Sequence, residues 1–332
     1  MATNNNNETK SFRDMYAVIT ATVLASLKAG IVPWLRPWAA SGDRSVPRSA
    51  STGKAYRSAN MIHLMIKGQL SGYVSPWWIT YKQCQKLGGN VRLSECKKWT
   101  PVLFWKSFPE KRDGKKTGRM IPFARSFLVY NFDQCEIPGN IAERYVARLE
   151  RVAGPIAEPN PVPAIGDEFA AADDSSSAYL ERESIPLRIG GDSAHYNPAL
   201  DSIAMPTRES FHGVAEYFST LFHECIHSTG HGSRLKRELT NPFGSNRYAR
   251  EELVAEMGAA FCAGRTAIDV PAVTGNRDSY IANWIAKLED NPKMIVWAAS
   301  RAEKATAMIF GETADERDPG ERETALEYNA AK

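Results

Sequence analysis

The residues with the clearest chemical potential form one short run, His223-Glu224-Cys225-Ile226-His227. Positions four apart share one face of a helix, so both imidazoles can reach a single metal ion. Glu224 stands beside the first ligand and would face a metal-bound water, whose proton a carboxylate can accept. We therefore predict a site for Zn²⁺, or for Mn²⁺ or another divalent metal in its place, with Glu224 as the catalytic base for attack on a peptide carbonyl.

The alternative is an HExxH pattern that arose by chance, because only three of its five positions are fixed. Three of the six histidines of the chain fall within nine residues, which favours a metal site. His231 is a poor third ligand, because two helical turns separate it from His223 unless the chain turns back after Gly230. The extended metzincin pattern is also absent, since Ser233 occupies the position of its third histidine.

The third ligand is expected on the next helix, in the run YAREELVAEMGAAF. Glu252 and Glu256 lie one turn apart there, on a face otherwise made of small residues. We predict that Glu252 binds the metal and that Glu256 orients a ligand histidine from outside. Glu251 is the close alternative to Glu252, and solvent-exposed surface charge is the alternative for either.

The elements that must position these residues follow from the surrounding pattern. A helix is predicted over residues 209–230, with Thr207 as its N-cap, and a second over residues 249–265. Ala194–Met205 has two extended segments and is expected to supply an edge strand that aligns an extended substrate. Tyr248 either polarises the scissile carbonyl or packs in the core. Two further helices are predicted over 279–288 and 292–309.

The formal net charge of +3 over 332 residues conceals a strong asymmetry. Residues 1–135 contain 21 Lys+Arg against 7 Asp+Glu, a net charge of +14, and the remainder carries −11. These two parts could also dock on each other and mask a site. No run of eighteen apolar residues and no signal peptide are readable, and the five cysteines form no CxxC pair. We expect a cytoplasmic protein without a membrane span.

Segment patterns predict an α+β fold with two domains. An amphipathic helix from Ser11 to Gly30 and β-rich runs between Tyr73 and Phe132, two of them joined by a basic hairpin loop, indicate a small first domain. The predicted boundaries are a basic domain at 1–140, a Pro-, Ala- and acid-rich linker at 141–183, a mainly helical domain with a short sheet at 184–312, and an acidic tail at 313–332.

The basic part is also rich in tryptophan, with six of the eight tryptophans of the chain. Cations neutralise phosphates and exposed aromatic rings stack on unpaired bases, so this combination indicates binding of single-stranded DNA without sequence specificity. For any single tryptophan, a place in the core is the ordinary alternative. The predicted DNA contacts are Arg36, Lys54, Tyr56, Arg57, Trp77, Tyr81 and Lys82.

Several motifs in this order resemble the ArdC-type antirestriction proteins of conjugative plasmids. IVPWLRPW, TGKAYRSAN, SPWWITYKQ, GGNVR and VYNFDQ are similar to the single-stranded DNA-binding domain of that family, which also resembles the N-terminal part of TraC-type plasmid primases. HECIHSTGH, RYAREELVAEMGAAF and YIANWIAKLEDNPKMIVWAASRAEKA resemble its zincin-like metallopeptidase domain. The likeness covers roughly residues 10–310.

The resemblance implies a protein that protects incoming DNA from restriction, with type I enzymes as the expected systems, in a bacterial host or recipient cell during conjugation. It also implies His223 and His227 as metal ligands and Glu224 as the catalytic base. The leading hypothesis is a gluzincin-like zinc metallopeptidase that is recruited to single strands and cleaves a nearby protein, either a type I restriction enzyme or another DNA-bound protein. The alternative is a protein that coats DNA or occludes the restriction enzyme, with a structural or vestigial metal site. A primase-associated accessory domain is the weaker third interpretation.

Overall fold

A computed structural model describes residues 5–35, 46–112, 115–153, 169–239, 246–266, 268 and 277–312. Two compact units divide the chain, and the fold is α+β as predicted. Of the described residues, 5–19 and 46–153 belong to the first unit. The second unit contains 20–35 and the described residues from 169 to 312. The second unit is therefore discontinuous in sequence.

The first unit is built on a four-stranded sheet with strand order β1-β2-β5-β4. The strand β1 pairs in parallel with β2, whereas β5 runs antiparallel to both of its neighbours. A small antiparallel pair, β3 with β6, lies outside this sheet. The elements of this part of the chain are α1 (Asn5–Lys28), β1 (Arg48–Ser49), α2 (Ser58–Ser71), β2 (Trp77–Thr80), α3 (Tyr81–Lys86), β3 (Asn90–Val91), β4 (Thr100–Arg112), β5 (Lys115–Asn131), β6 (Cys135–Glu136) and α4 (Gly139–Ala153).

The side chain of Asn60 in α2 forms hydrogen bonds with the backbone of the outer strand β4. The Asn60 amide nitrogen donates to the carbonyl of Leu103 at 2.6 Å, and the Leu103 N–H donates to the Asn60 Oδ1 at 2.8 Å. The N–H and the carbonyl of Leu103 on the outer edge of β4 are thus both hydrogen-bonded without another strand. Beside this contact lies a core cluster made of Tyr56, Leu64, Trp78, Val102, Phe104 and Val129.

The β-rich run SPWWITYKQ ends earlier than its composition predicts. Thr80 and Gln83 form a reciprocal capping box, in which each side chain accepts a hydrogen bond from the backbone N–H of the other residue. This arrangement satisfies the free N–H groups of a helix start, so α3 begins directly after β2. The basic hairpin loop predicted between two of these runs is instead paired strand almost to its tip, where Arg112 lies opposite Lys115.

In the described residues from 169 to 312, the second unit combines a small sheet with one helix before it and four helices after it along the chain. The sheet has strand order β7-β9-β8, and β8 is one of its edges. It pairs antiparallel to β9, which runs parallel to β7. The elements are α5 (Ala170–Arg182), β7 (Leu187–Ile189), β8 (His195–Asn197), β9 (Ser202–Met205), α6 (Val214–Thr229), α7 (Asn246–Arg265), α8 (Arg277–Asp290) and α9 (Met294–Ile309).

Helices α6 and α7 approach each other closely at Gly258. A Cβ atom at this position would lie 2.5 Å from Ile226 Cδ1, so only glycine fits without displacing Ile226. The small residues of α7 therefore have a packing role, because they let the two helices that carry the predicted ligands lie side by side.

Two sequence-based boundaries differ from the structure. Helix α6 begins at Val214 after Gly213, and Thr207 instead precedes a short 3-10 turn without capping it through its side chain. The predicted linker contains most of α4 and all of α5, whose Tyr179 is fully buried with its hydroxyl 2.9 Å from Ser228 Oγ. The acidic tail at 313–332 lies outside the described residues.

Residues 20–35, predicted within the basic domain, have their contacts in the second unit. Thr20 Oγ1 donates to the carbonyl of Pro292 at 2.6 Å, and Lys28 forms an ion pair with Glu289 at 2.6 Å. The buried Trp34 ring packs edge-on against Trp284, with 5.3 Å between the ring centroids. Trp34 is therefore a core residue of the second unit.

Candidate metal centre

The three predicted ligands converge on one point between α6 and α7. The Nε2 atoms of His223 and His227 lie 3.1 Å apart. The Glu252 carboxylate approaches them at 3.6 Å and 3.5 Å, respectively. One ligand atom from each residue lies within 4.8 Å of the others, which fits a single divalent cation with nitrogen and oxygen ligands. No other such group of histidine, cysteine and acidic side chains occurs in the part of the chain that the structure describes.

Two further carboxylates contact the outer nitrogens of the histidines. Glu256 Oε1 lies 3.9 Å from His223 Nδ1, the place predicted for it. Glu251 Oε1 lies 3.3 Å from His227 Nδ1. Each imidazole thus has its Nε2 toward the convergence point and its Nδ1 toward an acid, the arrangement by which outer carboxylates orient metal-binding histidines. Glu252, rather than Glu251, faces the convergence point.

Glu251 is held in its position by Arg237. The Arg237 guanidinium donates to both carboxylate oxygens of Glu251, at 2.8 Å to Oε1 and 3.0 Å to Oε2. It also donates to Thr229 Oγ1 and to the carbonyl of Ile226 in α6. Because Arg237 and Glu251 are both buried, this contact joins the chain after α6 to α7 and fixes the acid behind His227. Sequence reasoning missed Arg237, which lies in a loop without a recognisable motif.

The electrostatics of this cluster favour a cation. Burial lowers the pKa of His223, but hydrogen bonding to Glu252 and the nearby charges of Glu256 and Glu224 outweigh burial and raise it to about 9. Burial opposes ionisation of Glu252 as well, yet the two histidines hold its pKa below the usual value. The carboxylates around the histidines therefore favour a positive charge at the site. A divalent ion would supply this charge in place of the proton on His223.

The predicted catalytic base points toward the edge strand. Glu224 is buried, and its Oε2 accepts a hydrogen bond of 2.7 Å from the backbone N–H of Tyr196 in β8. A residue's N–H and carbonyl point to the same side of a strand, so the free edge of β8 faces the Glu224 carboxylate. The structure thus brings together the HExxH helix and the strand segment predicted from Ala194–Met205.

An ion pair between Arg234, whose side chain is buried, and the partly exposed Asp201 joins the chain after α6 to the turn between β8 and β9. Arg234 donates through two nitrogens to the Asp201 carboxylate and through Nε to the carbonyl of Ser228 at 2.8 Å. The Tyr196 hydroxyl donates to Asp201 Oδ1 at 2.7 Å. Burial alone would raise the pKa of Asp201, but the hydrogen bonds from Arg234 and Tyr196 lower it. These contacts link β8, through Tyr196 and Asp201, to Arg234 and the end of α6.

His231 and Tyr248 have positions that the sequence left open. The Nδ1 atom of His231 lies 2.8 Å from Ser233 Oγ and 3.7 Å from Asp201, outside the group of three ligands. Tyr248 is half-buried, and its hydrogen bond to Glu252 helps to lower the pKa of that carboxyl. Tyr248 therefore contacts a predicted metal ligand.

The structure separates the predicted DNA contacts into two groups. Arg57, Tyr81 and Lys82 are exposed, Lys54 is half-buried, and Arg36 lies outside the described residues. The prediction is wrong for Tyr56 and Trp77, because both are core residues, 1% and 3% exposed, and cannot offer a ring face to a base. Composition could not show this, since aromatic rings are equally suited to cores and to stacking surfaces.

One exposed aromatic was not among the predicted contacts. Trp99 directly precedes β4 and is 39% exposed, close to the 41% of Tyr81. Its polar neighbours Lys97 and Lys98 were the available sequence signal.

No helix in the described residues is both long and apolar enough to cross a membrane.

Comparison with known proteins supports both units. Residues 174–301 match the family model of a zincin-like metallopeptidase. Residues 13–130 match that of the N-terminal domain of the anti-restriction factor ArdC. A DNA primase TraC of Escherichia coli is 33% identical over 88% of this chain, and an uncharacterised protein of Sinorhizobium fredii is 28% identical over 91% of it. The chain spans only 19% and 26% of the length of two such primases, but 93% of the Sinorhizobium protein.

Solved structures of the antirestriction ArdC protein from plasmid R388 are similar to this chain over most of its length. The metal-free structure has a TM-score of 0.62 and the Mn(II)-bound structure one of 0.64, both at 29% identity. This chain aligns over 89% and 91% of its length, covering 96% and 99% of those chains. The fold and these matches therefore define a two-domain protein with a zincin-like metallopeptidase domain. Its other domain is the N-terminal domain of the anti-restriction factor ArdC, and the chain is similar to the solved ArdC structures over most of its length.

Proposed function

We propose that this protein binds single-stranded DNA through its first unit and cleaves a nearby protein through a metal-dependent peptidase site in its second unit. In this way it protects incoming DNA from restriction during conjugation, with a type I restriction enzyme or another DNA-bound protein as the target, in the cytoplasm of a bacterial host or recipient cell. The observation that carries the proposal is the convergence of His223, His227 and Glu252, combined with the contact of Glu224, the residue after His223, with the edge strand β8.

The chain's own residues have separate tasks in this reaction. His223, His227 and Glu252 would hold Zn²⁺, Mn²⁺ or another divalent ion, which acts as a Lewis acid and brings the pKa of a bound water toward neutrality. Glu224 accepts the proton that is released on attack and passes it to the leaving amine. The free edge of β8 aligns an extended peptide by backbone hydrogen bonds. Because Tyr196 N–H contacts Glu224, substrate and base meet at the same strand position.

DNA binding by the first unit is supported by its charge and by its exposed side chains. The net charge of +14 for residues 1–135 suits a phosphate backbone. Arg57 and Lys82 provide exposed cations, while Tyr81 and Trp99 provide aromatic rings on which unpaired bases can stack. Relatives named as DNA primases are consistent with a nucleic-acid partner.

A second candidate function is protection without proteolysis, by coating DNA or occluding the restriction enzyme. One observation favours it: an oxygen of Glu224 is already engaged by the backbone of β8, and the carboxylate is only 7% exposed. In that case the metal centre holds α6 against α7 and has no catalytic role.

Restriction of transferred DNA by cells that express Glu224→Ala separates the two candidates. The peptidase proposal expects loss of protection, with metal and DNA affinities retained. Glu209→Gln, an exposed acid before α6, is the matched control and should protect like the wild type. Full protection by Glu224→Ala would overturn the peptidase proposal and support occlusion. Charge reversal at Arg57 and Lys82 should abolish protection in either case.

A further inference from the structure

Strands β4 and β5 continue beyond the sheet of the first unit as a two-stranded ribbon. The strand β2 pairs with β5 only at residues 129–131, whereas β4 pairs with β5 from Thr100 to Arg112. Among the described strands, residues 101–112 and 115–128 therefore pair only with each other, and we call this segment the ribbon. At about 3.3 Å per residue it is roughly 35 Å long.

The tip of the ribbon places like charges directly opposite each other. Lys111 is paired with Lys116, and Arg112 with Lys115. Directly opposed like charges destabilise an antiparallel pair, and a two-stranded hairpin alone is only marginally stable in water. Residues 111–119 contain five basic residues and one acid. An anionic partner at the tip would remove this repulsion.

Protein strands are poor partners for the ribbon. Pro109 in β4 and Pro122 in β5 have no N–H to donate, and the register shifts between Pro109 and Lys111. Prolines and bulges of this kind prevent an added strand from pairing along an open edge. An anionic partner of the tip would therefore have to be recognised by charge and shape.

The composition of the tip favours a duplex over a single strand. Residues 109–120 contain no aromatic side chain, so the tip offers cations without a stacking platform for unpaired bases. Cations alone are sufficient for the phosphates of double-stranded DNA, and a two-stranded ribbon fits its major groove. The exposed rings of Tyr81 and Trp99 lie at the other end of the strands, after β2 and before β4.

We propose that the tip of the ribbon binds duplex DNA, next to a single strand held at the sheet end of the same unit. The first unit would then recognise the junction between double-stranded and single-stranded DNA. This inference rests on the DNA binding in the proposed function and adds a second DNA surface to it. The ribbon's length of roughly 35 Å corresponds to about ten base pairs of a duplex.

The test is the double variant Lys111→Glu/Lys115→Glu in the full chain. Each like-charged pair of the tip becomes an oppositely charged pair, so the ribbon should be at least as stable as in the wild type. Fluorescence anisotropy with a labelled 20-nucleotide single strand and a 20-base-pair duplex should show about a tenfold loss of duplex affinity at low salt and about a twofold loss or less for the single strand. The control Arg144→Glu/Arg148→Glu makes the same charge change on exposed positions of α4 and should leave both affinities near the wild-type values.

Unchanged duplex affinity in the double variant would overturn the inference, and so would equal losses for duplex and single strand. An unchanged or higher melting temperature excludes unfolding as the cause of a loss. Wild-type protein that binds the single strand but not the duplex would refute this inference alone. Wild-type protein that binds neither would refute the DNA binding of the proposed function as well.

Discussion

Glu251 and His227 are joined by a contact of 3.3 Å between Glu251 Oε1 and His227 Nδ1, and Arg237 donates to both oxygens of the same carboxylate. Glu252, the next residue of α7, faces the opposite nitrogen of His227. Two consecutive acids therefore take different places. Glu252 faces the point where the two Nε2 atoms converge, and Glu251 contacts the outer nitrogen of His227, the position from which a carboxylate can orient a metal-binding imidazole.

Metal affinity should distinguish these tasks. Glu252→Gln removes a ligand and is expected to cause the larger loss of Mn²⁺ or Zn²⁺ affinity, whereas Glu251→Gln should weaken binding by about 10- to 100-fold through His227. Isothermal titration of the purified variants measures both. A larger loss for Glu251→Gln than for Glu252→Gln would reverse the assignment of the ligand.

The ion pair between the buried Arg234 and the partly exposed Asp201 should stabilise the second unit. Asp201→Asn leaves the guanidinium of Arg234, which is 3% exposed, without its counter-charge, and the free energy of unfolding should fall by about 3 kcal/mol. Asp173→Asn is the matched control, because its ion pair with Arg208 is about half exposed and should contribute less than about 1 kcal/mol. Chemical denaturation monitored by circular dichroism provides the comparison, and equal effects would contradict the role of burial.

Gly258 should be required for the approach of α6 to α7. Gly258→Ala places a methyl group against Ile226, and the overpacking should cost about 1 to 3 kcal/mol of stability. Metal affinity should fall at the same time, since the ligands come from both helices. Gly258→Ala/Ile226→Ala should recover much of the affinity by making room for the added methyl group. No recovery in the double variant would show that the contact does not set the ligand spacing.

His63 should make the first unit sensitive to acid. It is buried with both ring nitrogens unpartnered, and burial, together with the charge of Lys67, lowers its pKa to about 3. In the unfolded chain its pKa is near 6.5, so between these values only the unfolded state binds the proton. The free energy of unfolding should fall as the pH drops through this range, by about 1 kcal/mol per pH unit.

His63→Leu should remove this part of the pH dependence. Urea denaturation of the wild type and the variant at pH 7, 6, 5 and 4 measures it as the difference between the two slopes. A parallel pair of curves would show that His63 does not contribute.

Sequence reasoning located the helices of the second unit well because their signals are local. The HExxH spacing and the glycine at position 230 indicated α6, and the spacing of Glu252 and Glu256 indicated how α7 faces it. The sequence could not decide between Glu251 and Glu252, because the answer depends on how α7 is rotated about its axis. That rotation depends on the contact of Gly258 with Ile226. Arg237 and Arg234 lie in irregular chain, where no periodicity reports their contacts.

In the first unit, composition predicted the charge of the unit, but it did not predict which individual aromatic residues are exposed. Tyr56 and Trp77 were assigned to DNA from type alone, but their depth depends on non-local packing in the sheet. The segment 20–35 was assigned by its neighbours in sequence, whereas its side chains Thr20 and Trp34 pack against residues more than two hundred positions away.

The discontinuity of the second unit has a consequence for how the protein is made. Trp34 leaves the ribosome about 250 residues before its partner Trp284. The peptidase-like unit therefore cannot close its core until Trp284 has been synthesised, whereas residues 46–153 can already have folded. A fragment that begins at residue 169 would lack one wall of that core and leave Trp284 open to solvent.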